Sequence, residues 1–218
     1  MKTASEREQA RLHARDEALL NPIQEVFTRV RHTFPGVLPC GRGCSACCVA
    51  SFHITLLDLW RLWRGWPHLD PDLREQLVLS SREVIKPLRQ ADPGWDYPYD
   101  LRDLTRPALH TFIREVRPCP ALGEAGECTV YPVRPRLCHL QGLSYVDPGG
   151  GVELPDYCAV VFGDPPYAAL PPQPLNLWDQ WEMEEELRSQ VGPFLPENLE
   201  KGYVTLVAGA ILVVDRWT

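Results

Sequence analysis

Apolar and polar positions at the start of the chain predict two helices in succession. Residues 5–20 are helix-like but heavily charged, so we expect a partly exposed first helix there. Asn21-Pro22 then favours a new helix start, with Asn21 as the N-cap and Gln24 completing a capping box. The second helix has apolar residues at helical spacing that would form its packing face: Ile23, Val26, Phe27, Val30 and Phe34.

Two further helices are predicted in the middle of the chain from their first residues. Thr55 and Asp58 have the spacing of a capping box, and Asp70-Pro71 is typical of another helix start. Pro87 should kink or end the later helix, because proline has no backbone N–H to donate. The expected packing residues are Leu56, Leu59, Trp60 and Trp63 in one helix and Leu73, Leu77, Val84 and Leu88 in the other.

The remaining pattern predicts short strands and two helices toward the C-terminus. The apolar run 49–54 favours a strand, and the stretch 108–116 fits either a strand or a helix, of which its alternation favours the strand. Gly149-Gly150-Gly151 predicts a tight turn between the two strands of a hairpin. Asn176 should cap a helix, and Pro196 should open a last apolar helix that continues to about residue 214.

Composition and charge indicate an ordinary globular protein and argue against two classes of partner. The 218 residues are 44% hydrophobic, which is enough to bury a core. The net charge of -7 is spread along the chain, which argues against nucleic-acid binding through phosphate neutralisation. The N-terminus is charged and lacks a signal-peptide core, and no apolar run is long enough to span a membrane. We therefore expect a cytoplasmic protein with no membrane partner.

The candidate chemistry lies in eight cysteines, which are concentrated in two groups. Thiols stay reduced in the cytoplasm, so clustered cysteines there are metal ligands more often than disulfides or buried free thiols. Thiolate is a soft ligand that selects zinc, copper(I) or iron–sulfur clusters over hard cations. All eight are candidate metal ligands: Cys40, Cys44, Cys47 and Cys48 in the first group, Cys119, Cys128 and Cys138 in the second, and Cys158 after it.

The spacing of the first group favours convergence on one centre. The two-residue gap between Cys44 and Cys47 lets a tight turn direct both sulfurs the same way, and glycines at 41 and 43 permit that sharp path. The adjacent pair Cys47 and Cys48 would normally project in different directions. We expect one of them to face the first centre and the other to face a second centre or the core.

Basic residues near the second group are candidates for an outer-shell role. Arg134, a candidate cofactor-binding residue, and Arg136 precede Cys138, and each could donate to a sulfur or to a carboxylate that fixes the loop. The alternative for each arginine is an ordinary surface ion pair. His139 is an open candidate ligand, whereas His53 is expected to be a hydrogen-bonded core histidine on a buried strand.

The order of these motifs resembles a known family. Cys40-x3-Cys44-x2-Cys47-Cys48, followed by Cys119-Pro120, Cys128-x-x-Tyr131 and Arg134-Pro135-x-x-Cys138, is similar to the CxxCxxCC cysteine-cluster proteins over roughly residues 38–160. The resemblance implies a zinc- or iron-chelating site, and the family includes a flagellin lysine N-methylase. Two differences stand out: the first gap holds three residues instead of two, and His139 follows Cys138 where arginine is common.

The choice of metal depends on the ligand spacing. Cysteine-only sets suit both zinc and iron–sulfur clusters. The Cys40-x3-Cys44-x2-Cys47 run with a distant Cys119-Pro120 is similar to one-cluster ferredoxins, and the adjacent pair is unusual for a zinc knuckle. We therefore favour an iron–sulfur cluster over zinc. Two centres, or one centre of four ligands with spare cysteines, both remain open.

These patterns together predict an α+β fold: a small, mainly helical domain with short strands around a cysteine-ligated metal centre. Residues 1–37 would be a helical extension, 38–163 the metal-binding domain, and 164–218 a Pro-rich connector with C-terminal helices packed on that domain. The predicted function is metal binding. Two alternatives are an enzyme for methyl transfer or redox chemistry, with the cluster beside a substrate pocket, and a zinc-stapled interaction module. No nucleophile elbow, phosphate loop or dinucleotide fingerprint is present.

Overall fold

The computed structural model describes residues 3–38, 43–49, 52–114, 117–153 and 170–218. Cys40 and Cys158, and the connector up to residue 169, lie outside these ranges. Helices account for 61% of the structure and the strands are short, which confirms the mainly helical α+β class. No helix in these ranges combines the length and the apolar character needed to cross a membrane.

Seven helices and five two-residue strands are present in the described ranges. The helices are α1 (Ala4–Thr33), α2 (Leu56–Gly65), α3 (Pro71–Ala91), α4 (Arg106–Arg114), α5 (Arg136–Leu140), α6 (Leu177–Val191) and α7 (Val207–Trp217). The strands are β1 (Ile54–Thr55), β2 (Tyr145–Val146), β3 (Val152–Glu153), β4 (Gln173–Pro174) and β5 (Val204–Thr205).

Helix α1 runs without a break through Pro22, so the prediction of two helices with Asn21 as an N-cap and Gln24 in a capping box was wrong. The capping box lies instead at Thr3, whose side chain accepts from the Glu6 backbone N–H at 3.1 Å. Proline costs one backbone hydrogen bond, but one apolar stripe continues across it and outweighs that loss. The buried apolar residues of this stripe are Leu12, Leu19, Leu20, Ile23, Val26 and Val30.

Helices α2 and α3 begin where their capping residues predict. The Asp58 carboxylate accepts from the Thr55 backbone N–H at 3.1 Å, and Asp70 accepts from the Asp72 N–H at 2.9 Å. Helix α3 continues past Pro87 to Ala91, so the proline does not end it. Its buried face is Leu77, Val78, Ser81, Ile85 and Leu88, whereas the predicted Leu73 and Val84 are half-buried.

The stretch predicted as a strand at 108–116 is helical as far as Arg114, in α4. Ala108 and Phe112, four residues apart, are both buried and belong to a core cluster with Leu88 of α3. Leu109, which a strand pattern would turn inward, is 37% exposed. The alternation in the sequence was therefore misleading, because the contact with α3 requires helical spacing.

The strands form two small sheets. β2 and β3 pair antiparallel as the predicted hairpin, and β4 joins β2 in parallel. β1 pairs antiparallel with β5, with Ile54 opposite Thr205. Of the strand predicted at 49–54, Ile54 is in a strand, and residues 50 and 51 lie outside the described ranges. The last helix begins at Val207, because β5 precedes it, so the predicted start near Pro196 was wrong. Residues 46–49 form a 3-10 turn.

The largest core cluster lies beneath the cysteines. Helix α7 packs against α3 and α2, and its residues 207–211, 213 and 214 are buried. Trp60 and Trp66 contribute the largest fully buried side chains. Cys119 and Cys128 pack against this cluster from the outside. The core therefore forms the floor on which the second cysteine group lies.

The unbroken course of α1 predicts that Pro22→Ala stabilises the protein. Alanine restores the missing backbone hydrogen bond, so the free energy of unfolding should rise by about 1–3 kcal/mol, less any gain in unfolded-state entropy. Pro71→Ala is the matched control, since Pro71 stands at the first helical position of α3, where proline costs nothing. Urea unfolding measures both. An unchanged or lower stability for Pro22→Ala would contradict a single helix.

Candidate metal centre

Six cysteines from both sequence groups line one cavity of about 610 Å3. They are Cys44, Cys47, Cys48, Cys119, Cys128 and Cys138. All six are half-buried free thiols, with no disulfide among them. The structure therefore brings together every predicted ligand that lies within its described residues. The predictions for Cys40 and Cys158 stay untested, because those residues lie outside.

A backbone hydrogen bond joins the first cysteine group to the second. The 3-10 turn Ala46–Val49 carries Cys47 and Cys48, and the Cys48 N–H donates to the Ser45 carbonyl at 2.9 Å. The Cys48 carbonyl in turn accepts from the Cys119 N–H at 2.6 Å. The first and second cysteine groups are therefore joined by a main-chain hydrogen bond and not by side chains alone.

Two glycines permit the close approach of the cysteine loops. Gly43 and Gly126 both have positive φ, 91° and 78°, a region that L side chains rarely adopt. A Cβ on Gly126 would lie 3.0 Å from the Gly43 carbonyl oxygen. A side chain at this point would force the loops apart. The glycine at position 43 was noted in the sequence for its turn, but the role of Gly126 was missed.

The segment between Cys119 and Cys128 folds back on itself. An antiparallel bridge pairs Leu122 with Cys128, and the Thr129 N–H donates to the Ala121 carbonyl at 2.9 Å. This return of the chain brings both cysteines to the same cavity. Cys128 therefore approaches Cys119 through local backbone hydrogen bonds, which need no metal to form.

Cys138 lies on α5, and the start of this helix is anchored by carboxylates of two other helices. The Arg136 backbone N–H donates to Asp58 Oδ1 at 2.8 Å, and the Arg136 guanidinium donates to Glu184 Oε2 at 2.9 Å. Of the alternatives open for Arg136, the structure has the carboxylate that fixes the loop, and this ion pair is buried rather than at the surface. Sequence reasoning missed Glu184, since nothing local links α6 to the cysteines.

Asp58 also belongs to a buried charge network behind the site. Arg61 donates to Asp58 Oδ1 at 2.6 Å and forms two hydrogen bonds with Asp16, one of them from Nε to Oδ2 at 2.9 Å. All three side chains are at most 5% exposed. Burial disfavours the charge on Arg61, but its hydrogen bonds to the two carboxylates outweigh this and raise its pKa. The network joins α1, α2 and α5.

The thiols differ in how readily they ionise. A hydrogen bond from Cys48, aided by the charge of Arg134, lowers the pKa of Cys47 to about 7 despite its burial. Burial raises the pKa of Cys119 to about 12 and that of Cys138 well above its ordinary value. Near neutral pH only Cys47 among these three is substantially a thiolate. A metal would therefore displace protons from the others as it binds.

Arg134 and His139 lie beside the thiols. Arg134 lines the cysteine cavity, with its guanidinium 4.1 Å from the Tyr131 ring centroid and its Nη2 at 3.3 Å from His139 Nδ1. His139 is 5% exposed, and burial, aided by the nearby guanidinium charge, lowers its pKa to about 3. His53, by contrast, is exposed, so its prediction as a core histidine was wrong.

The thiols surround a space but do not form a ready site for a single ion. Within the described ranges, no group of three or more His, Cys, Asp or Glu side chains is placed so that it could hold a metal ion. A tetrahedral zinc site with Zn–S bonds of about 2.3 Å requires sulfurs roughly 3.8 Å apart. The donor set thus fits a metal centre in its chemistry, but the described donors do not form a compact group for one ion.

No family model matches this chain, and no curated protein or solved structure matches it. The resemblance to the CxxCxxCC proteins therefore stays a prediction from the motifs.

The buried network predicts a large destabilisation for Arg61→Leu. The substitution leaves Asp16 and Asp58 buried without their cation, so the free energy of unfolding should fall by about 3–5 kcal/mol. Arg89→Leu is the matched control, because Arg89 forms an exposed pair with Asp96 at 3.3 Å and should matter by less than about 1 kcal/mol. Equal losses in chemical denaturation would contradict the network's role.

The lowered pKa of Cys47 predicts selective alkylation in the reduced, metal-free protein. At pH 7 iodoacetamide should modify Cys47 at least about tenfold faster than Cys119, because the thiolate is the nucleophile. The rate at Cys47 should rise with pH up to its pKa of about 7 and then level off. Peptide mass spectrometry follows each thiol. Arg134→Gln should slow the alkylation of Cys47 only. Equal alkylation rates at Cys47 and Cys119 would refute the lowered pKa of Cys47.

Proposed function

We propose that this protein binds an iron–sulfur cluster through the cysteines that line the cavity. The observation that supports this proposal is the convergence of six free thiols, from segments far apart in sequence, on one cavity. Soft thiolates in this number are used by proteins for zinc, copper(I) and iron–sulfur centres. Cys40 and Cys158 are proposed as further ligands from their sequence positions.

The number of thiols and the width of the cavity favour a cluster over a single zinc ion. In a cluster of four irons each cysteine binds a different iron, so the sulfurs stand further apart than around one ion. Six thiols on a cavity of about 610 Å3 agree better with that arrangement. A zinc-stapled interaction module would require the thiols to contract around the ion.

The protein's own residues would support such a centre in two ways. Arg134 brings positive charge to a place where bound thiolates accumulate negative charge, and its charge already favours ionised Cys47. The carboxylates of Asp58 and Glu184 hold Arg136 and thereby the start of the helix that carries Cys138. An iron–sulfur cluster would supply electron transfer or, with an open coordination position, activation of a bound molecule.

An enzyme that uses the cluster beside a substrate pocket is the second candidate function. The observation that favours it is a second chamber of about 280 Å3 that shares Cys44, Cys47 and Cys138 with the cysteine cavity. Catalysis would require a molecule in this chamber to contact the centre. The reaction under this alternative is methyl transfer or redox chemistry.

Anaerobic purification with metal analysis tests the proposal. We expect a brown protein that absorbs broadly at about 400 nm and contains iron and acid-labile sulfide. A colourless protein with stoichiometric zinc would favour the zinc-stapled module. A protein that contains neither metal after anaerobic preparation, and that takes up neither on reconstitution, would refute metal binding.

Single substitutions test the ligands. Cys47→Ser and Cys138→Ser should each reduce the metal content to a small fraction, since even outer-shell partners are worth roughly 10–100-fold in metal affinity. Ser45→Ala, in the same loop as Cys47, is the control and should retain the metal. Full metal content in both cysteine variants would exclude these two residues as ligands.

A further inference from the structure

We propose that the chamber beside the cysteine cavity binds a small molecule through a carboxylate group. This Arg134 chamber has Phe27, Thr28 and Arg31 of α1 on one side and Arg134 and His139 on the other. Its inner wall is formed by the shared thiols Cys44, Cys47 and Cys138. The inference deepens the proposed function, and it rests on that function only for the metal centre at the inner wall.

Arg134 provides the main reason for an anionic ligand. Among the described residues, no carboxylate forms an ion pair with Arg134, which lines the chamber. Its contacts are the Tyr131 ring and His139 Nδ1. A half-buried guanidinium that no carboxylate neutralises can bind an anion beside the thiols, because its charge is only partly hydrated. The flat Tyr131 ring fixes the plane of the guanidinium, which prepares it for a planar, bidentate carboxylate.

His139 orients Arg134 from the same side of the chamber. A guanidinium can only donate, so His139 Nδ1 accepts from Arg134. His139 is 95% buried, since only 5% is exposed, and this burial holds its ring in place. The Arg134 guanidinium therefore has a fixed position in the chamber, where it can donate to a carboxylate.

The size and the opposite wall limit the ligand further. A volume of about 280 Å3 is slightly below the range of roughly 300–1,000 Å3 for drug-sized ligands, which indicates a molecule the size of a small metabolite. Arg31 on the exposed side of α1 adds a second positive charge at the rim, and Phe27 offers an apolar surface. A carboxylate held by Arg134 would place the remainder of the molecule toward the shared thiols.

Calorimetric titration of the full chain, anaerobic and metal-loaded, tests this inference with three probes. Succinate should bind saturably, and its uncharged analogue succinamide should bind at least about tenfold more weakly, because it lacks the charge-assisted hydrogen bonds. Inorganic phosphate should bind more weakly than succinate. Tighter binding of phosphate would overturn the carboxylate assignment, and equal binding of succinamide would overturn recognition of charge.

Three arginine variants locate the binding site. Arg134→Gln should weaken succinate at least about tenfold. Arg31→Gln should weaken it less, and Arg29→Gln should leave it unchanged, because Arg29 is exposed on the same helix but does not line the chamber. Unchanged binding in both Arg134→Gln and Arg31→Gln would overturn the inference.

Metal content, measured in each sample, keeps the two proposals distinguishable. If wild-type protein holds its metal but binds no succinate, the chamber inference fails and the proposed metal centre stands. If wild-type protein holds no metal yet binds succinate in an Arg134-dependent way, the proposed metal centre fails and the chamber inference stands. If Arg134→Gln loses the metal, titration of succinate into wild-type and Arg134→Gln protein, both metal-free, decides, since the metal content is then equal in the two samples.

Discussion

The carboxylate of Asp58 is the point on which the arrangement around the cysteines depends. One buried side chain accepts from the Thr55 N–H at the start of α2, from the Arg61 guanidinium, and from the Arg136 N–H at the start of α5. The packing of α1 against α2 and the position of Cys138 therefore both depend on the Asp58 carboxylate. A buried carboxylate is stable only with such a complete set of donors, so these elements must assemble together.

The cysteines are placed by backbone contacts and core packing. Cys48 is joined to Cys119 by a main-chain hydrogen bond, and Cys119 and Cys128 pack on the largest core cluster. Near neutral pH, Cys119, Cys128 and Cys138 stay protonated because burial raises their pKa values. If the proposed metal binds, these thiols must give up their protons as it enters.

Local signals in the sequence predicted local features well, and long-range contacts account for the errors. The caps at Thr55, Asp70 and Asn176 lie where predicted, because each depends on a few neighbouring residues. Pro22 did not divide α1, since packing of a continuous apolar stripe outweighed one lost hydrogen bond. The helix at 106–114 and the pairing of β1 with β5 depend on distant partners that no local pattern reveals. An aspartate and an arginine inside the apolar run 56–63 were an unused signal of the buried network.

The contact between Gly43 and Gly126 has a consequence for how this protein can vary. The backbones of two loops touch where neither position can carry a side chain without strain, so the loops fit each other as a matched pair. A change in the length or backbone conformation of one loop would move its thiols away from those of the other loop. The loops that carry the first and second cysteine groups therefore depend on each other's shape. A change in one loop is tolerated only with a compensating change in the other.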